Sequence, residues 1–213
     1  MKVLFLNTSN NNLVIGIVNS DKLIYEEHIE DIKEHSKYVL LSIEKGLEVC
    51  DLVPFDIDRI IVIDGPGSFT GLRIGITITK TYGFALKKKV LGVSSLKAIA
   101  LSSNNFNYVA SIVDAKGGYI FGAIYDKDYN IIMEEKCLTF EELENEISKL
   151  YGNVVISYNE EFLGEKILKK YNHKKVKLNI LKIVNYYKND NSVNFHKLNP
   201  KYLKKSQAEE NLV

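Results

Sequence analysis

The sequence predicts an α/β protein of two lobes, each built on a β-β-β-α-β-α unit. Two patterns point there. The order of three short strands, a helix, a strand and a helix occurs once in each half of the chain. In the first half, the apolar run Ile60–Ile63 meets a glycine-proline turn and gives way at once to a pattern of helical period. The length of 213 residues suits two lobes of about 100 residues each.

Val3–Leu6 is the first strand, Asn10–Asn12 a turn, and Leu13–Val18 the second strand. Ser20–Lys22 turns the chain into a third strand, Leu23–Ile29, which makes an antiparallel meander. The spacing of Val39, Leu40, Ile43 and Leu47 predicts a helix from Glu34 to Val49 with one apolar face. After the Ile60–Ile63 strand, a second helix runs to Leu86, followed by a strand at Val90–Val93 and a helix capped by Ser94 or Ser95. The second half repeats this with strands at Tyr108–Val113, Tyr119–Tyr125 and Ile131–Leu138, turning at Lys116–Gly118 and Asp126–Asn130. Phe140–Leu150 is a helix, with Thr139 and Glu142 spaced as a capping box. Strand Val154–Ile156 and a helix from Glu160 to Lys170 complete the repeat. Val176–Val184 reads as a strand and a short helical turn, and Asn185–Asn194 as a loop. The expected division is 1–103 for the first lobe, 104–195 for a reduced second lobe, and 196–213 for a segment docking back on the body, its tip Asn211–Val213 frayed.

A formal charge of +1 supplies no global basic field, so composition argues against a chain that grips nucleic acid unaided. Lysines cluster at 87–89, 169–170, 174–175 and 204–205, where solvated faces and helix ends account for them. Cys50 and Cys137 form no metal pattern and suit reduced thiols. No run reaches membrane-spanning length, and the N-terminal apolar run turns polar at Asn7, so the expected compartment is the cytoplasm.

The densest signal is Gly65-Pro-Gly-Ser-Phe-Thr-Gly-Leu-Arg-Ile-Gly75. A strand-turn-helix junction of this kind presents backbone N–H groups at the positive end of a helix, which suits an anion or a partner's acceptor. Gly67 and Ser68 stand at that junction, and Thr8 and Ser9 follow the first strand as candidates to line a small site. The turn lacks the lysine of a phosphate-binding P-loop and the spacing of a dinucleotide fingerprint. Beyond it, Gly71, Gly75, Thr79 and Gly83 recur every four residues and form one small-residue ridge. Each interior glycine costs the helix about 1 kcal/mol relative to alanine, so something must approach the backbone closely. The neighbour is either the chain's own sheet or another helix, of this chain or of a partner.

Taken together, this segment, Leu91–Ala100, Glu34-His35-Ser36, Val113–Lys116 and Pro200–Lys204 resemble the signature pieces of the bacterial TsaB (YeaZ-type) family. The resemblance implies an actin, sugar-kinase and Hsp70 (ASKHA)-like fold for the duplicated unit. It also implies a non-catalytic subunit of the machinery that places a threonylcarbamoyl group on the adenosine next to the tRNA anticodon. The partners so implied are a TsaD-like catalytic subunit on the same fold and a TsaE-like ATPase, with tRNA reached only through the complex. Self-association in the absence of the partner is compatible with this reading. The partner surface is expected on His35, Val39, Leu40, Ile43, Leu47, Gly71, Arg73, Gly75, Thr79 and Gly83.

The chemistry for an independent enzyme is absent from the expected positions. Asn7 stands where the family shows an aspartate and carries no charge to offset a divalent cation. The TsaD-type His-x-x-x-His pair is broken, because Val39 follows His35 at that spacing, so His35 is expected to cap or pack the start of its helix. Asp64 and Asp114 end strands, where carboxylates either do chemistry or bond a turn. No metal and no cofactor are expected on the chain alone, with ATP or ADP at the contact with the partner. The alternatives are a stand-alone ASKHA-type kinase or peptidase-like enzyme, or a homodimeric nucleotide-binding regulator.

Overall fold

The computed structural model describes residues 1–32, 34–160 and 170–204. The chain divides into two units, one of Met1–Ser94 with Asn179–Lys201, the other of Ser95–Leu178 with the stretch from Tyr202.

The first unit is a five-stranded sheet of β1 (Lys2–Asn7), β2 (Leu13–Asn19), β3 (Lys22–Ile29), β4 (Arg59–Gly65) and β5 (Lys89–Ser94), in the order β3-β2-β1-β4-β5. The meander pairs antiparallel, with Lys2 opposite Asn19 and Asn7 opposite Val14, while β4 lies parallel to β1 and β5 to β4. One face, carrying Leu4, Leu6, Leu13, Ile15, Ile17, Ile60 and Val62, packs on α1 (His35–Val49) and α2 (Phe69–Ala85) through Val39, Ile43, Leu47 and Ile76. Each fully buried aliphatic side chain of this kind contributes about 1.5–3 kcal/mol. The opposite face packs on α5 (Ile180–Tyr186), where a methyl group added to Gly16 would lie 2.6 Å from Ile180 Cδ1. Covered on both faces, β1 and β4 read as continuous apolar runs rather than as alternation.

A charged latch ties α1 to the edge strand β3. Lys45 Nζ donates to Glu27 Oε1 at 2.5 Å. Burial alone would raise the Glu27 pKa, but hydrogen bonds from Lys45 and Ser42 and the Lys45 charge outweigh it and hold the carboxyl below its ordinary value. A carboxylate lowered in this way stabilises the fold above the usual carboxylate range, and that stability is lost as pH falls through the folded pKa. Glu27→Gln is therefore expected to lower stability by at most about 1 kcal/mol at neutral pH, the range of partly exposed ion pairs. The gap to the parent should close as the pH falls below the ordinary carboxylate range. Urea titrations at both pH values check this, and a gap independent of pH would exclude the latch.

The second unit holds β6 (Tyr108–Lys116), β7 (Tyr119–Asp126), β8 (Ile131–Thr139), β9 (Val154–Tyr158) and β10 (His173–Lys175), in the order β10-β9-β6-β7-β8. Its meander is antiparallel, and β9 lies parallel to β6. The face bearing Ala110, Ile112, Ile120, Ile124 and Ile156 packs on α4 (Phe140–Ile147) through Leu143, and the helix α3 (Ser95–Leu101) packs on β6, β7 and β9. Thr139 and Glu142 form the expected capping box, each bonding the other's backbone N–H. Lys97, nine-tenths buried, lays its ammonium 4.5 Å from the Tyr125 ring centre and donates to the Tyr129 carbonyl.

The doubled five-stranded sheet is the two-lobed α/β arrangement expected from the repeat. Three details differ. The strand expected at the start of Val176–Val184 is instead β10 at His173–Lys175, parallel to β9, and the helical turn expected after it is part of α5. The boundary falls at 94/95 rather than 103/104, because α3 packs on the second sheet. Residues 179–201 join the first unit rather than the second. They do so because Ile180, Ile183 and Val184 are buried, Val193 bridges to Val90, and Leu198 enters the first core. The Glu160–Lys170 helix and the frayed 211–213 tip lie outside the described residues. Among those described, no helix is long and apolar enough to cross a membrane.

Candidate functional site

The glycine-proline segment wraps the end of β1. Gly65 takes φ +133, a value open to glycine, and joins Pro66 through a cis peptide bond. Lys201 N donates to Asp64 O at 2.7 Å, so the C-terminal stretch crosses the turn at this point. Ser68 N donates to Ser9 O at 2.7 Å, and Ser68 Oγ caps α2 by accepting from Gly71 N at 3.3 Å. Thr8 Oγ1 donates to Gly71 O at 2.7 Å. A side chain at Gly67 would run into the Ser9 carbonyl, one at Gly71 into the Thr8 carbonyl, and one at Gly75 into Thr8 Oγ1. Farther along, Gly83 leaves 2.9 Å to Val90 Cγ1 and 3.1 Å to Phe195 Cβ.

The ridge therefore faces the chain's own interior. Of the ten residues expected on a partner surface, eight are enclosed by this chain: His35, Val39, Ile43, Leu47, Gly71, Gly75, Thr79 and Gly83. Leu40 and Arg73 alone of the ten are exposed. The correction has a simple cause. A four-residue period identifies one helix face, and that face is the one the sheet requires.

The groups expected to meet an anion are largely committed as well. Thr8 and Ser9 are buried and bonded within the turn. Asn7 is buried, and its Oδ1 accepts both Ser9 N at 2.9 Å and Ser9 Oγ at 2.7 Å, closing the loop. Asp114 accepts from Lys116 N at 2.8 Å and pairs with Lys116 Nζ at 2.7 Å at the end of β6. Val39, where a second histidine ligand would stand, is sealed in the core, and no cluster of His, Cys, Asp or Glu among the described residues is arranged to hold a metal. His35 packs as the first residue of α1, and Glu34 occupies the cap position without a side-chain hydrogen bond.

What remains open is the outer surface of α1 and α2, two helices in contact with each other. Tyr38, Leu40 and Leu41 are 38%, 44% and 57% exposed, and Arg73 stands on the solvent side of α2 over the Phe69 ring. Tyr38 and Leu41 escaped sequence reasoning, although the run Tyr-Val-Leu-Leu offered a signal. It places more apolar residues on α1 than the single stripe Val39, Ile43, Leu47 can bury.

A family model described as TsaD: tRNA N6-adenosine threonylcarbamoyltransferase matches residues 30–195. The chain belongs to the TsaD family. Its named relatives within the family are called TsaB or YeaZ. The Bacillus subtilis tRNA threonylcarbamoyladenosine biosynthesis protein TsaB is 35% identical over 126 residues, which are 59% of this chain and 55% of that protein. The Escherichia coli protein of the same name is 28% identical over 134 residues, 61% of this chain and 57% of that protein. The chain thus spans just over half the length of the curated relatives it matches. The structure of YeaZ from Pseudomonas aeruginosa superposes with a TM-score of 0.78 at 19% identity, over 95% of this chain and 99% of that one, a likeness of fold.

Proposed function

We propose that this TsaD-family chain serves threonylcarbamoyladenosine formation in tRNA as a non-catalytic subunit. It docks on and stabilises a TsaD-like catalytic subunit through the solvent side of α1 and α2. The observation that carries this reading is the exposure of Tyr38, Leu40 and Leu41 on α1 and of Arg73 on α2, helices whose other sides are already spent on their own sheet. Aromatic, aliphatic and arginine side chains on a rigid element are the composition of an interface centre. The non-catalytic part is supported by the internal commitment of Asn7, Thr8, Ser9 and Asp114. In this proposal the TsaE-like ATPase joins through the complex, ATP or ADP sits at the contact with the partner, and tRNA is reached through the assembly in the cytoplasm.

The test is Leu41→Glu, mixed with the TsaD-like subunit of the same organism and followed by analytical ultracentrifugation. Burying an unpaired carboxylate at the centre of the contact should weaken association by at least about tenfold. The melting curve of the variant alone should match the parent, because Leu41 is exposed. Undiminished association would overturn the assigned surface.

A further inference from the structure

Where α2 ends, the chain gathers positive charge that the helix does not use. The last turn closes on backbone donors, Lys87 N reaching Phe84 O at 3.4 Å and Lys88 N reaching Gly83 O at 3.1 Å. Lys88 Nζ donates to Phe55 O at 2.6 Å rather than to those carbonyls. The ammonium groups of the exposed Lys87 and Lys89 have no ion-pair or hydrogen-bond partner among the described residues. Residues 191–195 run beside them, tied to β5 by Val193 N donating to Val90 O at 3.0 Å. The two stretches enclose a hollow of about 560 Å³ within the first unit. Phe84, Lys87, Lys88, Lys89, Asn191 and Ser192 line it, and no carboxylate does. Phe84 is 69% exposed and meets Phe195 edge to face, with ring centres 5.7 Å apart. A lone exposed ring is ordinary, and so are lysines at a helix end. Here the two meet at one concave place, with amide and hydroxyl groups and no opposing charge.

From that combination we infer that the hollow takes one nucleotide of an unpaired RNA strand, its base stacked on Phe84 and its flanking phosphates held by Lys87 and Lys89. Cations beside an exposed ring are what a single strand needs, since the charges follow its backbone and the ring meets a base face. The volume lies in the range of small-ligand pockets and suits a single nucleotide. An acidic peptide answers the lysines alone. The choice of RNA rests on the role in tRNA modification proposed above, whereas the hollow and its charge stand without it. Two lysines in a chain of net charge +1 hold RNA weakly, so the contact supplements those of the assembly.

The experiment titrates the full chain at low salt with a single-stranded RNA of about ten nucleotides, following backbone amide resonances. Saturable shifts centred on Phe84, Lys87–Lys89 and residues 191–194 are expected. Added salt should weaken binding with a log–log slope of about −1.4, from two phosphates at roughly 0.7 each on a single strand. Phe84→Ala should weaken binding by roughly tenfold, the worth of one stacked base. Lys87→Gln combined with Lys89→Gln should weaken it and flatten that slope. Lys127→Gln combined with Lys174→Gln, the same charge change on exposed lysines of the second unit, should do neither. All these side chains are exposed, so the circular dichroism melts should match the parent. Leu41→Glu, placed at the docking surface, should bind the RNA like the parent, so failure of docking and failure of RNA contact are seen apart. Absence of saturable shifts, equal shifts with an RNA duplex or a poly-aspartate peptide, or equal losses in the two lysine pairs would overturn the assignment.

Discussion

Gly71→Val destabilises the first unit by roughly 1–4 kcal/mol. The new side chain would occupy the place of the Thr8 carbonyl, which belongs to backbone at the end of a central strand and cannot rotate away. Overpacking of this kind costs about 1–3 kcal/mol. The displaced strand end also loses the Thr8 Oγ1 hydrogen bond to Gly71 O, worth roughly 0.5–1.5 kcal/mol. Against this stands a propensity gain of at most about 1 kcal/mol on removing a helical glycine. The sign decides between the two roles of the ridge. A stripe kept for a partner would let the valine stabilise the isolated chain, whereas a stripe packed on its own strand makes it unfold. Urea denaturation followed by circular dichroism reads the difference, and a midpoint at or above the parent's would refute interior packing.

Arg59→Met is the second large loss, expected at about 2–4 kcal/mol. Arg59 is 3% exposed, and its guanidinium donates to Tyr187 O and Asp190 O at 2.8 Å and to Lys188 O at 3.3 Å. Burial pushes its pKa down from the usual arginine value, and the nearby Asp190 charge opposes that; an arginine starts so high that it stays protonated. Methionine fills similar space but leaves those carbonyls without a donor. The loss should be local first. Amides of α5 and of residues 187–190 should exchange with solvent faster, while those of α1 stay near parent rates. Uniform acceleration across the unit would show that Arg59 is not an anchor for this segment.

The contrast between these two residues shows what the sequence could disclose. The apolar runs of β1 and β4 and the helical period of α1 and α2 lie within single stretches, so they were readable. The capping box at Thr139 was readable for the same reason, since both partners sit within one turn. The neighbour of the glycine ridge was not, because Thr8 lies 63 residues from Gly71 and spacing alone does not name what a helix face touches. β10 escaped because His173-Lys174-Lys175 has no apolar residue and is a strand through its pairing with β9. α5 was expected only as a short helical turn, because seven residues are too few for a period to emerge; Asn179, whose side chain accepts from Lys182 N, marks its start. Of the candidate site, Glu34–Ser36 and the turn were both legible as motifs. Their meeting at one hollow, at the starts of α1 and α2, required the fold.

The return of residues 179–201 to the first unit has a consequence for synthesis. A chain growing from its N-terminus makes β1 to β5 first, yet the sheet face that receives α5 stays bare until residue 186 is made, and Arg59 has no carbonyls to hold until 190. The strands of the second unit form one uninterrupted stretch, 108–175, and are complete before that. The sheet that begins the chain is therefore covered only after the second sheet is complete. For as long as translation takes to reach residue 190, it carries an open apolar sheet face, the period in which a chaperone would matter most.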